Sequence, residues 1–83
     1  MKKTEVVTVV PGICREYRFL VPEQMEIRKA KKIFLRLMKE EFPEIDDETQ
    51  RYSLYQARTG FVLKDDSTFE RMGIKNGEKL IFG

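Results

Sequence analysis

One segment of this chain carries a clear helical period. Ile27, Ala30, Ile33, Phe34, Leu37 and Met38 recur at i, i+3 and i+4 spacing, which predicts a helix from about Glu23 to Glu41 with those six side chains on one face. Arg28, Lys29, Lys32, Arg36 and Lys39 fall on the opposite face, with no acid between Ile27 and Lys39. Phe42-Pro43 ends the helix, because the residue before a proline is pushed out of the α region. An amphipathic helix must bury its apolar stripe against another element, and the other apolar runs of the chain are short and strand-like.

Glu5 to Val10 is almost wholly β-branched, which favours a first strand. Val10-Pro11-Gly12-Ile13 then reads as a type II turn with Gly12 at positive φ. The return strand, about Arg15 to Val21, alternates Tyr17, Phe19 and Val21 with Glu16, Arg18 and Leu20, and the first set is expected to face the core. Beyond the helix, Glu44 to Gln50 is an acidic connection. A third strand is expected over Arg51 to Ala57, and Arg58-Thr59-Gly60 turns into a short fourth, Phe61-Val62-Leu63. Asp66 or Ser67 is expected to cap one helical turn through Met72, ended by Gly73 in the left-handed region. Asn76-Gly77 leads into a last strand, Glu78 to Phe82, with Leu80 and Phe82 on one face and Ile81 on the other. With no repeat, low-complexity tract or linker, residues 1–83 read as a single domain.

Composition narrows the chemistry. Eighty-three residues build one compact core with no room for a deep, walled-off pocket, which argues against most enzymes. Lys+Arg 16 against Asp+Glu 14 leaves +2, where a general polyanion binder would be more basic; 36% charged with 41% hydrophobic residues is the balance of a folded protein. Histidine is absent, so the commonest general base is missing, and one cysteine cannot assemble a zinc or iron–sulfur site. Cys14, beside Arg15 but without a base, reads as a bystander, and its solitude fits a reducing compartment. Asp65-Asp66 and Asp46-Asp47-Glu48 lack the alternating spacing of a calcium loop. The expectation is no enzyme, no cofactor and no metal. Met1-Lys2-Lys3 imitates the start of a signal peptide, but the apolar run Val6-Val7-Thr8-Val9-Val10 is too short to complete one, and no run approaches a membrane span. A cytoplasmic location is therefore expected.

The order hairpin, long helix, two strands, helical turn, final strand resembles the β-grasp, or ubiquitin-like, fold. Its most specific part is Asp65-Asp66-Ser67-Thr68-Phe69-Glu70-Arg71-Met72-Gly73-Ile74-Lys75-Asn76-Gly77-Glu78-Lys79-Leu80. This is similar to the ubiquitin-like pattern of polar loop, apolar anchor of a helical turn, Gly-Ile pair, polar turn and final strand. Within that superfamily, Gly73 to Leu80 and the Pro-led, lysine-rich helix start are similar to the bacterial YukD-like proteins associated with type VII secretion. The resemblance implies an α+β chain, a mixed sheet of about five strands packed on one main helix. It also implies a non-catalytic protein-interaction module, and through YukD an accessory part of a secretion-type assembly. A plant-type ferredoxin, the redox branch of this fold, needs four cysteines and is excluded. The alternative is a modifier or sulfur carrier activated at Gly83. That chemistry needs a free tail, whereas Lys79-Leu80-Ile81-Phe82 reads as strand.

Two sets of residues are candidates for partner binding. The third strand carries Tyr52, Leu54 and Gln56 on one face and Ser53, Tyr55 and Ala57 on the other, so whichever set points outward exposes an aromatic or apolar residue. In ubiquitin-like proteins the outer face of this sheet is the usual partner surface, and the resemblance implies that role for Tyr52, Leu54 or Tyr55. The competing reading is a tyrosine that covers the sheet edge with its hydroxyl in water. The helix stripe Arg28, Lys32, Arg36 and Lys39 reads either as a solvated outer face or as a dock for phosphate or an acidic protein surface. Glu40, Glu41, Glu44, Asp46, Asp47 and Glu48 follow it directly and would repel a phosphate backbone. The pattern suits a protein of mixed charge, or self-association, better than nucleic acid.

Overall fold

The computed structural model describes residues 2–46 and 48–83; Met1 and Asp47, named above in the basic start and the acidic stretch, lie outside the described residues. The elements run β1 (Lys3–Val10), a 3-10 turn (Pro11–Ile13), β2 (Arg15–Pro22), α1 (Ile27–Glu41), a second 3-10 turn (Thr49–Arg51), β3 (Leu54–Gln56) and β4 (Glu78–Phe82). In the sheet the order is β2-β1-β4-β3: β1 is antiparallel to β2 and parallel to β4, and β4 is antiparallel to β3. One helix on a mixed sheet is the expected α+β, β-grasp architecture. The expected fourth strand survives as a single bridge, Tyr55 opposite Val62, in which Gln56 N–H donates to the Phe61 carbonyl at 2.8 Å and Leu63 N–H to the Leu54 carbonyl at 2.7 Å.

The core lies between sheet and helix. Val6, Val10, Val21, Leu54, Leu80 and Phe82 point into it from the strands, and Ile27, Ala30, Phe34 and Met38 from the helix. Phe34 joins the layers: Phe19 stacks on it at 4.1 Å between ring centroids, and Phe82 meets it edge-on at 6.2 Å. Burial of such side chains contributes about 1.5–3 kcal/mol each, which is what holds a domain of this size together.

Several elements depart from the sequence expectation. At the first hairpin a 3-10 turn replaces the type II turn, and the left-handed residue is Cys14 (φ 53°, ψ 43°) rather than Gly12. The loop spans four residues between the paired Val10 and Arg15, so the reversal falls at its last position. Pro22 closes β2 instead of opening the helix, and α1 starts at Ile27. Its first donors are taken by a distant loop: Ile27 N–H bonds the Ser67 carbonyl at 2.9 Å and Arg28 N–H the Asp65 carbonyl at 3.0 Å. These bonds stand in for a side-chain cap, which Glu26 does not supply. The buried face of α1 is rotated: Lys31 and Leu35 are buried, Ile33 is half-buried, and Leu37 is 41% exposed. Leu35 borders a hollow with Thr49, and Lys31 one with Thr49 and Asp65, so that flank of the helix is covered by the segments after it. In the turn after Ser67 the cap is Thr68, whose hydroxyl accepts from Arg71 N–H at 3.1 Å, not Asp66 or Ser67; Gly73 ends it at φ 71° as expected.

Candidate protein-interaction surface

Register decides what the sheet presents to solvent. Tyr17, Thr8, Leu80 and Gln56 form one cross-strand row and face the helix; the adjacent row, Glu16, Val9, Ile81 and Tyr55, therefore faces away from it. The bridge extends that row to Val62. Val9, Ile81 and Tyr55 are half-buried, Val62 is 49% exposed, and its neighbour Phe61 is 70% exposed. An apolar band thus crosses the outer face of the sheet as far as Val62, with the exposed Phe61 next to it in the chain. Lys79 stands two residues before Ile81 on the same face, and Arg58 and Lys64 flank the Phe61-Val62 segment. None of these three cations forms an ion pair among the described residues.

The expected strand residues separate at this point. Leu54 is fully buried and opposite Phe82 in the ladder, so it belongs to the core, and the partner-binding role expected of it is corrected. Tyr52 precedes β3; its ring stacks on Phe82 at 5.0 Å and its hydroxyl donates to the Asp46 carbonyl at 2.8 Å, which ties Asp46 to the strand that carries Phe82. Tyr55 is the member of the trio on the outer face. Sequence reasoning missed Val9, Ile81, Phe61 and Val62 as members of this surface. A signal existed: Val6-Val7, Val9-Val10 and Leu80-Ile81-Phe82 are apolar on both faces of their strands, which a one-sided sheet does not require.

On the opposite side of the molecule, Arg28, Lys32 and Arg36 are exposed along α1, with Lys39 half-buried one turn beyond Arg36. The helix lysine drawn inward is Lys31, whose side chain is 6% exposed and whose Nζ donates to Asp65 Oδ1 at 2.8 Å. At the far end of the helix, Tyr17 donates its hydroxyl to Glu41 Oε1 at 2.8 Å, and Arg15 Nε lies 3.3 Å from the same oxygen. Burial, then the bond to Glu41 and its charge, raises the Tyr17 phenol above its ordinary value of 10.0, against a smaller lowering by Arg15.

Helix, sheet order and outer band together define a ubiquitin-like protein fold. In comparisons with solved structures, the EccD5 ubiquitin-like domain from Mycobacterium xenopi matches 100% of this chain and 94% of its own, with a TM-score of 0.81 at 11% identity. Caldiarchaeum subterraneum ubiquitin matches 98% and 91%, TM-score 0.78 at 17% identity. The ubiquitin-like domain of the Mycobacterium tuberculosis type VII secretion system protein EccD1 matches 99% and 98%, TM-score 0.73 at 13% identity. No protein-family model matches the sequence, and no curated protein does. Among the described residues no helix is long and apolar enough to cross a membrane.

Proposed function

We propose that this chain is a non-catalytic docking module that engages another protein through the outer face of its sheet, as a cytoplasmic accessory of a secretion-type assembly. The observation that carries the reading is the apolar band from Val9 through Ile81 and Tyr55 to the exposed Val62. Tyrosine and phenylalanine are the side chains that anchor protein interfaces, and unpaired cations at a rim guide an acidic partner to them. Likeness to the EccD1 domain, whose solved structure is named for the type VII secretion system, and to the EccD5 domain motivates the choice of assembly. Activation at Gly83 is the rival reading. It is disfavoured because Gly83 exchanges both backbone bonds with Ser53, at 3.0 and 3.1 Å, and an activating enzyme would have to break them to draw that residue in.

The test is a Tyr55→Gln, Val62→Thr double variant, which keeps strand-compatible residues. Affinity capture from native cells with crosslinking mass spectrometry should lose the secretion-assembly component seen with the parent chain, with the far-ultraviolet circular dichroism unchanged. Capture that persists at parental level sinks the reading. An adduct or thiocarboxylate at Gly83 in native extracts would favour the rival.

A further inference from the structure

The basic face of α1 is more than a solvated ridge, because it borders real concavities. Lys32, Leu35, Arg36, Lys39 and Thr49 line a hollow of about 400 Å³, and Arg28, Lys31, Lys32, Thr49, Gln50 and Asp65 line a neighbouring one of about 340 Å³. Across the ridge, a third of about 500 Å³ sits among Glu26, Arg28, Lys29, Lys32, Ile33 and Arg36. Lys32 belongs to all three. Arg28, Lys29, Lys32 and Arg36 form no ion pair among the described residues, and Asp65, which lines the second hollow, is held by Lys31. Like charges one helical turn apart repel. Arg28, Lys32 and Arg36 keep three of them in line, at about 6 Å of rise per step. Beside the line run the half-buried Ile33 and the exposed Leu37.

We propose that this ridge is a second docking surface, and that its occupant is an acidic amphipathic helix of a partner protein. Carboxylates at one-turn spacing on that helix would match Arg28, Lys32 and Arg36, and an adjacent apolar stripe would cover Ile33 and Leu37. A polynucleotide fits less well, because its phosphates would continue past the basic stripe into Glu40, Glu41, Glu44 and Glu48. Since α1 lies on the opposite side of the sheet from the Tyr55 band, the two surfaces can be filled together, and the module would join two proteins. The ridge stands whether or not the sheet face binds.

An NMR titration of the full chain tests it, with a synthetic acidic helix carrying Glu at i, i+4 and i+8 beside a leucine stripe. The controls are a scrambled peptide of equal charge, a single-stranded DNA oligonucleotide and phosphatidylserine vesicles. Shifts should concentrate at Arg28, Lys32, Ile33, Arg36 and Leu37. The scrambled peptide should bind about tenfold more weakly, and Lys32→Glu, Arg36→Glu should weaken binding by about the same factor, while Tyr55→Gln leaves it unchanged. A Lys32→Gln, Arg36→Gln pair, checked for fold by circular dichroism, guards against misfolding. Equal binding of the scrambled peptide, tighter binding of DNA or vesicles, or indifference to both double variants overturns the proposal.

Discussion

Thr8 offers a sharp energetic test of the core. Its side chain is fully buried between Val6 and Val10 on the inward face of β1, in the row with Tyr17 and Leu80, and its Oγ1 has no hydrogen-bond partner. The nearest row-mate with a hydroxyl, Tyr17, spends it on Glu41. A buried hydroxyl left unsatisfied costs about 1–3 kcal/mol, and a methyl in its place adds apolar burial worth up to about 0.8 kcal/mol. Thr8→Val keeps the β-branched shape and the strand preference, so it should stabilise the fold by about 1.5 kcal/mol. At 4–8 °C per kcal/mol for a domain of this size, the thermal midpoint should rise by roughly 6–12 °C. Urea denaturation should show a higher midpoint with an unchanged slope. The reciprocal change, Thr8→Ser, keeps the hydroxyl and loses the methyl, so it should destabilise by about 1 kcal/mol. If Thr8→Val proves no more stable than the parent while Thr8→Ser is weakened, the hydroxyl is satisfied in solution and the reasoning fails.

The Lys31–Asp65 pair should respond asymmetrically. Asp65→Asn strands a buried ammonium and should lower stability by about 1–2 kcal/mol, discounted from the usual buried-pair loss because Asp65 is 46% solvent-exposed; Lys31→Met keeps the packed stem and should lose less, and chemical denaturation that ranks the two in reverse refutes this. Tyr17 has a raised folded pKa, so the folded state holds that proton more tightly; its stability is intact below pH 10 and declines as pH climbs through the folded value. Denaturation midpoints measured across the alkaline range should therefore fall less in Tyr17→Phe than in the parent. Gly73→Ala meets no neighbouring atom within 4 Å, so its expected loss of about 1 kcal/mol, read by thermal unfolding, comes from the φ of 71° alone.

What could be read from sequence was whatever local chemistry dictates. The alternation of Tyr17, Phe19 and Val21, the helix end at Phe42-Pro43, the turn at Asn76-Gly77 and the inward pair Leu80 and Phe82 all follow from side-chain period or backbone restriction, and each stands where expected. The misplacements share a different cause. Where α1 begins depends on carbonyls at Asp65 and Ser67, and which helical flank is buried depends on the segments that carry Thr49 and Asp65. Both are set by residues well beyond the helix, so no window around the helix encodes them. The same holds for the candidate surface: Tyr55 was in view, but its companions Val9, Ile81 and Val62 meet it only through cross-strand register.

The parallel pairing of β1 with β4 bears on how the chain is made. β4 occupies an interior place in the sheet yet comes after the other three strands in chain order, so until it is made β1 has one bare edge and β3 has none of its strand partners. During that interval the β1–β2 hairpin can form, but the core lacks Leu80 and Phe82, and Val6, Val10 and Leu54 stay open to the wrong neighbours. A chain truncated before Leu80 should therefore be cut readily by proteases, and one that carries β4 through Phe82 should resist them.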